Sequence, residues 1–420
     1  MASNILTPDI ILREALYLLH QKMVFGSMIH RKYEDEFKGS GAKIGDEILI
    51  RRPNTYKIRK GRVAQPQNTR ERFETLKIDN QVGVDMSFTS RELTLDLDDF
   101  SERILQPAIA TLVSDLEYQL LSMLRDVPML YPSDISASDN IYDHSAIYDW
   151  VDLCGRELDI ELAPKTDRHA LLNSYDESQI IDLLKGLFGD SAEISKQFTE
   201  GKMRRFQGFS HKRTVHMPVY HPGRSVYKTD LLFGSTNTNT TPITFGSIVE
   251  GQSHFPLAAS DPNDWRKGDI VTLSNLKKVH PETKRVYRQC NASFVVTKDA
   301  IAGQNMEIWP AIYHADTKYQ NVQAVAETGQ LAIYALNRGS TPQRQNLYFH
   351  KDAFTMATVD LEMPNDVDFK AQEVHEGISM RIVRKYDIGE DNFPCRIDLL
   401  FGFKTLRPEL ARRIIGGIVD

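Results

Sequence analysis

Three histidines in the stretch HKRTVHMPVYH are, by residue type, the best candidates for binding a metal ion: His211, His216 and His221. Their spacing of five residues does not place two ligands on one helix face, and on a strand it sends successive side chains to opposite faces. Pro218 also interrupts the segment. The pattern therefore favours histidines in a loop or at the surface over a metal centre.

Other motifs for chemistry are equally incomplete. Gly39, Gly41 and Gly45 suggest a phosphate-binding loop, but they do not form G-x-G-x-x-G and no strand pattern precedes them, so we interpret this stretch as a linker. His375 and Glu376 do not form the H-E-x-x-H motif. The sequence contains neither a nucleophile elbow nor a Walker loop. We predict no catalytic, cofactor-binding or metal-binding residues and hence no enzyme, with an unrecognised active site as an alternative.

Composition is that of a globular protein with more than one domain. A chain of 420 residues exceeds what one core usually serves, so two or three domains are expected. The net charge of −6 argues against a surface that binds nucleic acid everywhere. Cys154, Cys290 and Cys395 are far apart and fit buried reduced thiols. No run of 18 apolar residues and no secretory signal are present, so we expect folding in a cytosol and no contact with a membrane.

The segment LTPDIILREALYLLHQ predicts a short amphipathic helix near the N-terminus. Thr7 suits the N-cap, Pro8 the first helical position and Asp9 the positive helix end. An apolar stripe follows at Ile11, Ala15, Leu18 and Leu19. No neighbouring run is long enough to cover this stripe, so we expect the helix to dock on a distant part of the chain or on another chain.

Residues 51–72 form a strongly basic segment between strand-like stretches. Eight cations and one acid, Glu71, occur in it; the cations are Arg51, Arg52, Lys57, Arg59, Lys60, Arg62, Arg70 and Arg72. The pattern predicts a long two-stranded hairpin with a basic tip. Such a hairpin is marginally stable alone, so contact with a neighbouring subunit fits it better than a solvated surface loop. The aromatic residues that single-stranded nucleic acid would stack on are missing.

Apolar residues keep helical spacing from Leu97 to Leu124 and predict the longest helix of the chain, with Leu112 and Leu116 on its buried face. Acidic residues crowd its N-terminal end, where the helix dipole favours them: Asp96, Asp98, Asp99 and Glu102. Pro107 is expected to kink or divide the helix.

The middle of the chain changes character twice. Residues 140–222 alternate helical and short strand patterns, which predicts an α/β layer. From residue 225 to about 335, short strands such as KGDIVTL and ASFVVTK are separated by turn-rich spacers, which is typical of a small β-barrel or sandwich. We expect this β segment to be inserted in the α/β region and to fold alone.

The stretches ISMRIVRKYD and RIDLLFGF predict a long antiparallel hairpin near the C-terminus. Apolar residues alternate with polar ones at Ile397, Leu399, Phe401 and Phe403. A hairpin needs further support, and the long helix offers an apolar stripe of matching length. We therefore expect the long helix from Leu97 to Leu124 and the terminal hairpin to share one core.

Assembled in this order, the elements resemble the major capsid proteins of tailed bacteriophages, whose fold is shared with herpesvirus shells. More narrowly, the chain is similar to the coat-protein family of short-tailed, scaffold-assisted phages that carry an inserted domain. The resemblance rests on GAKIGDEILIRRP, LDLDDFSERILQPAIATL, MPVYHPG, YQNV and ISMRIVRKYDIGEDNFPCRIDLLFGFKTLRPELARRI.

The resemblance implies an α+β fold with an N-arm, an extended loop, a spine helix, an axial α/β domain and an inserted β-barrel. The expected boundaries are an N-terminal arm at 1–45, an extended loop at 46–85, a peripheral domain with the spine helix at 86–130, an axial domain at 131–224 and 343–365, an insertion domain at 225–342, and a terminal peripheral hairpin at 366–420.

The resemblance also implies a function. The chain would build an icosahedral procapsid of hexamers and pentamers with a scaffolding protein and a portal protein, in the cytoplasm of a bacterial host. The shell would mature around packaged double-stranded DNA that it does not bind specifically. Alternatives are a shell-forming nanocompartment and, from another class, a nucleic-acid-binding protein that uses the basic hairpin.

The candidate contacts between subunits are the eight basic residues of 51–72 and two acidic groups. The acidic candidates are Glu34, Asp35 and Glu36 and the cluster Asp96, Asp98 and Asp99. We expect Arg59, Lys60 and Arg62 at the hairpin tip to meet such acidic surface on the next subunit.

Overall fold

The structure, a computed structural model, describes residues 8–31, 47–64, 66–67, 71–89, 104–130, 144–184, 205–221, 242–244, 249–256, 265–301, 303–315, 318–324, 330–335, 342–367 and 369–418. The chain forms two compact units. Unit 1 comprises Met1–Arg51, Phe73–Leu121 and Phe354–Leu406, and unit 2 comprises Arg52–Arg72, Ser122–Ala353 and Arg407–Asp420.

The described helices are α1 (Pro8–Lys22), α2 (Gln106–Leu121), α3 (His144–Ile160) and α4 (Ser174–Leu184). The described strands are β1 (Glu47–Arg52), β2 (Arg72–Lys77), β3 (Asn80–Thr89), β4 (Met129–Leu130), β5 (Arg168–Asn173), β6 (Arg205–Phe206), β7 (Phe209–Thr214), β8 (Pro242–Thr244), β9 (Gln252–Pro256), β10 (Ile270–Val279), β11 (Val286–Val296), β12 (Asn305–Ile312), β13 (Val322–Ala324), β14 (Gln330–Ala335), β15 (Gln343–His350), β16 (Phe354–Val359), β17 (Phe369–His375), β18 (Ile378–Arg384), β19 (Asn392–Thr405) and β20 (Ala411–Ile418). The mixture of helices and mostly antiparallel strands is the α+β class that the sequence predicts.

Unit 1 is organised around β19, the 14-residue strand of the predicted hairpin. On one side it pairs with β3 over the whole of that strand. On the other side it pairs first with β18 and then with β16, and β17 follows β18. The central position of β19 explains its apolar alternation, because one of its faces is covered along most of its length.

Helix α1 covers its apolar stripe within its own chain. Ile11, Ala15 and Leu19 are buried, together with Leu12 and Leu16, and the helix packs against β17, β18 and α2. Arg13 Nη2 donates to Glu373 Oε1 at 3.0 Å. The expected partner was a distant part of the chain or another chain, and the structure shows the first. The apolar stripe is therefore covered within unit 1.

Helix α2 begins at Gln106, so Pro107 lies in its first turn rather than in its interior. At that position the missing N–H of proline leaves no hydrogen bond unmade. Residues 104–105 before it form a π-helical turn, and Ser122–Asp126 after it form a 3₁₀ turn. The expected start at residue 97 and the acidic cluster before it lie outside the described residues.

A buried carboxylate fixes the turn after α1 to α2. Glu117 is 1% exposed, and its two oxygens accept the backbone N–H groups of Val24, Phe25 and Gly26 at 3.2, 2.9 and 2.9 Å. These donors would otherwise be buried and unsatisfied at the helix end. The anchor holds together two segments that are more than 90 residues apart in the sequence.

The core residues predicted for unit 1 occupy different depths. Leu112, Leu116, Leu399 and Phe401 are buried, whereas Phe403 is half-buried. Phe401 and Phe403 stack with their ring centroids 6.0 Å apart.

Gly402, which lies between these two residues on β19, allows the backbone of Lys77 to pack directly against the strand. A Cβ at this position would lie 2.0 Å from the carbonyl oxygen of Lys77, so only glycine fits.

The polar face of the hairpin is less exposed than its sequence predicts. Asp398 and Arg381 both lie on the face expected to contact solvent, yet Asp398 is only 3% exposed. Arg381 Nη2 donates to Asp398 Oδ2 at 2.6 Å, and Arg381 Nη1 donates to the carbonyl of Glu362 at 2.5 Å. The segment that follows β16 thus covers part of this face, which the alternation of residue types does not reveal.

Unit 2 contains a six-stranded sheet in the order β4-β20-β15-β5-β7-β6. β20 pairs antiparallel with β15 and parallel with β4, so this strand is internal to the sheet. Val151, Cys154 and Leu158 form the buried face of α3, which packs on β20. The sequence predicted residues 366–420 as one peripheral hairpin, whereas the structure ends the hairpin at Thr405 and assigns Arg407–Asp420 to unit 2. The misleading feature is Arg412 and Arg413, which look exposed in sequence but are buried.

Unit 2 also contains a seven-stranded sheet within the predicted insertion. Its order is β8-β14-β10-β11-β12-β9, and β13 pairs with β10. A core that includes Phe255, Trp265, Phe294 and Ile308 lies against it. β8 and β9 stand at the two ends of this order, and no pairing between them occurs among the described residues. Closure into a barrel therefore stays a prediction.

The segments before and after the seven-stranded sheet are hydrogen-bonded to each other at Tyr220 and Gln343. Tyr220 N–H donates to Gln343 O at 2.9 Å, and Gln343 N–H donates to Tyr220 O at 2.9 Å. The residues between them therefore form a closed excursion whose two ends are hydrogen-bonded neighbours, close to the predicted limits of 225 and 342.

Other predicted boundaries shift by a few residues. β3 is a strand of the unit 1 sheet, so residues 80–85 do not belong to an extended loop. Residues 122–130 belong to unit 2 rather than to the domain of the long helix. Within the described part of the chain, no helix is long and apolar enough to cross a bilayer.

Phe401→Ala tests the position of the central strand. Removal of a fully buried ring should lower the free energy of unfolding by about 3–5 kcal/mol. Phe403→Ala is the matched control, because its ring is half-buried and its loss should cost clearly less. Urea unfolding followed by circular dichroism would measure both. Equal losses for the two variants would contradict the assigned burial.

Candidate inter-subunit surface

The basic segment rises from a two-stranded ribbon made by β1 and β2. The base of the ribbon has a small core in which Ile48, Ile50, Leu76 and Ile78 pack against Ala357 and Leu406. The alternation of EILIRR places Ile48 and Ile50 on this core and leaves Leu49 62% exposed on the other face. The ribbon is therefore anchored at its base by a core within unit 1.

Beyond the ribbon, residues 53–64 have no regular secondary structure but are held by side chains. The Lys57 N–H donates to Gln67 Oε1 at 3.0 Å, and Gln67 Nε2 donates to the Lys57 carbonyl at 2.6 Å. At the tip, Arg59 Nη1 donates to the carbonyls of Gly61 and Val63. Gly61 has a φ of +96°, which glycine adopts without strain. The tip is thus a defined turn.

The tip presents charge and apolar surface together. Arg59, Lys60 and Arg62 are exposed, and among the described residues no hydrogen bond or ion pair engages the side chains of Lys60 and Arg62. Ile58 and Val63 beside them are 76% and 77% exposed. This combination of free cations and exposed aliphatic side chains suits contact with another protein surface.

Among the eight predicted contact residues, Arg52 and Arg72 contact side chains outside the basic segment. Arg52 Nη2 donates to both carboxylate oxygens of Glu409, at 2.9 and 3.0 Å. The Arg72 guanidinium lies 3.9 Å from the centroid of the Tyr319 ring and 5.6 Å from that of Tyr313. Both cations therefore have partners within unit 2, so a neighbouring subunit does not have to pair them.

Of the remaining candidate contact residues, some are described by the structure and others are not. Arg51 is exposed at the end of β1 and Lys57 is half-buried. Arg70 and both acidic groups, Glu34, Asp35 and Glu36 and Asp96, Asp98 and Asp99, lie outside the described residues. The structure consequently leaves the proposed pairing of charges between subunits as a prediction.

A cavity of about 530 Å³ lies under the loop. Its wall mixes arginines and acids with aromatic side chains, including Arg52, Tyr56, Arg72, Glu161 and Tyr319. Glu161 and Glu409 in this wall each accept hydrogen bonds from cations, so these two acids do not form a carboxylate pair for acid–base chemistry. In the described part of the chain, no group of three His, Cys, Asp or Glu is arranged to hold a metal ion.

Glu161, in the wall of this cavity, ties three segments of unit 2 together. It follows α3 and accepts hydrogen bonds from Lys278 of β10 and from Arg412 of β20, the latter at 3.1 Å. Burial raises the pKa of the Glu161 carboxyl, but the charges of Lys278 and Arg412 outweigh burial and hold that pKa below its usual value. The carboxylate therefore stays ionised and links the inserted sheet to the six-stranded sheet.

Arg413, the next residue on β20, is fully buried and was not predicted to have any role. Its Nε donates to Val127 O at 3.0 Å, its Nη2 to Gly268 O at 2.7 Å and its Nη1 to Gln345 Oε1 at 3.3 Å. The guanidinium also lies 5.4 Å from the Tyr220 ring centroid. The only sequence signal for this role was an arginine inside the apolar run ARRII.

Asp269, next to Gly268, completes this cluster through Tyr220. Tyr220 Oη donates to Asp269 Oδ1 at 2.5 Å, and Asp269 Oδ2 accepts the N–H of Arg266 at 2.9 Å. Asp269 is fully buried. The tyrosine thus lies between a buried cation and a buried carboxylate at the neck of the excursion.

Part of this chain is similar to a known protein family. Residues 252–416 match the model of the P22 coat protein, gene protein 5. The predicted resemblance to a phage coat protein is confirmed for this range. The coat-protein match includes strands β9 to β19 and most of β20, and thus Lys278, Arg412 and Arg413. The basic loop precedes it.

Solved structures to which this chain is similar come from phages and from a virus-like particle. One from Mycobacterium phage Che8 has 11% identity and a TM-score of 0.47, and the alignment covers 93% of this chain and 90% of that one. The mature capsid of bacteriophage PhiM1 has 8% identity and a TM-score of 0.43, with 88% and 82% covered. A virus-like particle from Pyrococcus furiosus has 10% identity and a TM-score of 0.40, with 96% of each chain covered. The sequence matches no curated protein.

Glu161→Gln should destabilise unit 2 at neutral pH by about 3 kcal/mol, because the buried Arg412 and the half-buried Lys278 lose their ionised partner. The carboxyl pKa is lowered by folding, so its contribution is present above the usual glutamate pKa and is lost as pH falls through the lowered value. Thermal unfolding at neutral pH and in acid should therefore show a difference from wild type that shrinks in acid. Asp152→Asn, which breaks an exposed pair with Arg156, should have little effect at either pH.

A pH-independent loss of stability in Glu161→Gln would mean that the carboxylate charge is not what stabilises this site.

Proposed function

We propose that this chain is the major capsid protein of a tailed bacteriophage. The observation that carries the proposal is the match of residues 252–416 to the P22 coat protein family. The α+β architecture and the hydrogen-bonded neck of an inserted sheet support it, because the resemblance in the sequence implies both. The role is structural rather than catalytic.

In this proposal the parts of the chain have the roles that the resemblance implies. The ribbon and basic loop form the extended loop, and α2 with the β18–β19 hairpin forms the peripheral domain. The six-stranded sheet forms the axial domain, and the excursion from Tyr220 to Gln343 forms the insertion domain. The subunits form hexamers and pentamers of an icosahedral shell, which assembles in the host cytoplasm and becomes the virion capsid.

A scaffolding protein and a portal protein are the further partners, and the shell matures around packaged DNA. DNA is not gripped by each subunit, because a genome that must leave the shell would be retained by so many contacts. The net charge of −6 agrees with weak attraction to DNA.

Self-assembly is the direct test of this function. The purified chain, mixed with its scaffolding protein, should form closed shells of uniform size under mild conditions. Electron microscopy and sedimentation would measure this. A chain that stays monomeric at high concentration with its scaffold present would contradict the proposal.

The basic loop supplies part of the contact between subunits in this proposal. Its tip carries three exposed cations and two exposed aliphatic side chains. An exposed ion pair contributes only about 0–1 kcal/mol, but its repetition at every subunit boundary shifts a cooperative equilibrium strongly.

Reversal of the tip charges tests this contribution. The triple change Arg59→Glu, Lys60→Glu and Arg62→Glu should leave the monomer folded and raise the protein concentration needed for assembly. High salt should weaken wild-type assembly in the same direction, since exposed pairs are screened. Light scattering against protein concentration at two salt levels measures both effects.

A control with the same change in net charge is Lys165→Glu, Arg266→Glu and Lys298→Glu, at three exposed positions away from the tip. An assembly threshold equal to that of wild type at low salt in the tip variant would exclude this role. Loss of DNA binding with normal assembly would indicate a nucleic-acid contact instead.

A further inference from the structure

Strand β3 lies at an edge of the unit 1 sheet. It pairs with β19 along all ten residues, from Asn80 opposite Phe401 to Thr89 opposite Asn392. The other side of β19 is occupied by β18 and β16. Among the described strands, none pairs with the outer side of β3. A long row of backbone donors and acceptors is therefore presented at this edge.

The direction of one hydrogen bond identifies the groups in this row. Pro394 O accepts the N–H of Lys385, so Pro394 is directed toward the β18 side. Alternate residues of a central strand bond to opposite neighbours. The residues of β19 that bond to β3 are therefore Cys395, Ile397 and Leu399, and their partners are Met86, Val84 and Val82. The outward backbone groups belong to the residues between these: Gln81, Gly83, Asp85 and Ser87.

The edge lacks the features by which proteins protect exposed strands. The sequence NQVGVDMSFT contains neither lysine nor proline, and the pairing with β19 has no bulge. Its single charge, Asp85, is engaged by Arg396, whose Nε and Nη2 donate to the two carboxylate oxygens at 2.6 and 3.0 Å. One face carries Val82, Val84 and Met86, all only half-buried. An unprotected edge of this kind is suited to pairing with a strand from another chain.

We propose that β3 pairs with β3 of a second copy of this chain, antiparallel about a two-fold axis at Val84. This rests on the proposed shell function, which supplies the second copy. In this register Gly83 faces Asp85 of the second copy and Gln81 faces its Ser87, so all four outward residues form hydrogen-bonded pairs. Val82 faces Met86 across the axis, which extends the half-buried apolar face.

The register is set by charge and by backbone direction. Centring the pair on Asp85 would place two carboxylates opposite each other, which is unfavourable. Centring on Val84 instead places each carboxylate opposite a glycine. A slip of one residue in the pairing would set outward groups against inward ones and lose the hydrogen bonds. A two-fold pair of identical edges is also the commonest closed contact between copies.

Val84→Cys tests the pairing. At a non-hydrogen-bonded antiparallel position the two Cα atoms lie about 4.5 Å apart, which a disulfide can span. Mild oxidation should therefore give a covalent dimer of the full chain on a non-reducing gel. Val82→Cys is the matched control, because its own counterpart lies about four residues further along the ladder, roughly 13 Å away. Wild type reports any background from its native cysteines.

A second change blocks the edge without touching the inner ladder. Ser87→Pro removes an outward N–H and adds a ring at the edge, which an edge strand tolerates. In the Val84→Cys background, Ser87→Pro should abolish cross-linking and Ser87→Ala should preserve it. Cross-linking that survives Ser87→Pro, or that is as strong in Val82→Cys as in Val84→Cys, would overturn the pairing.

Scoring both assembled particles and concentrated unassembled chain separates this inference from the proposed function. Shells without a Val84→Cys dimer would reject the pairing alone. A dimer without shells in any condition would support the pairing and reject the capsid function. Shells whose subunits cross-link at Val84 support both.

Discussion

A single buried guanidinium sets the arrangement of unit 2. Arg413 cannot lose its proton inside a protein, so every one of its donors needs an acceptor. The acceptors come from Val127, Gly268 and Gln345, which belong to three separate stretches of the chain. If any one of these stretches is displaced, a buried charge is left uncompensated, which is far costlier than the loss of one hydrogen bond. The six-stranded sheet and the first turn of the inserted sheet are therefore stable only together.

The same device recurs at two other points in the molecule. Glu161 joins α3 to β10 and β20 through Lys278 and Arg412, and in unit 1 Glu117 joins the turn after α1 to α2 through three backbone donors. In each case a charged side chain has partners far away in sequence. Apolar burial supplies most of the stability of such a fold, but it does not fix which segments meet, whereas a buried charge does.

Sequence patterns identified the elements better than their connections. Period-2 alternation located β19 and helical spacing located α1 and α2, because both depend on one covered face. The patterns failed where a polar residue is buried: alternation on β19 does not reveal that Asp398 is buried, and no pattern predicted the internal strand β20, which carries the buried Arg412 and Arg413. Burial of a charge depends on partners from distant segments, and a local window contains no trace of them. The basic loop illustrates the same limit, since counting eight cations does not show that Arg52 and Arg72 are already engaged by Glu409 and Tyr319.

Because Tyr220 and Gln343 are hydrogen-bonded to each other at the neck of the excursion, the length of the excursion can change without a change in the geometry of the six-stranded sheet. Two backbone hydrogen bonds fix the spacing of the segments through which the chain enters and leaves the excursion. Since doubling the length of a flexible loop costs only about 0.6 kcal/mol in closure entropy, the excursion can gain or lose whole strands while the neck stays the same. A descendant of this gene, or a designed variant, can therefore change the outer strands of the excursion and keep the parent subunit, provided that Gly268, Asp269 and Lys278 keep their contacts with Arg413, Tyr220 and Glu161.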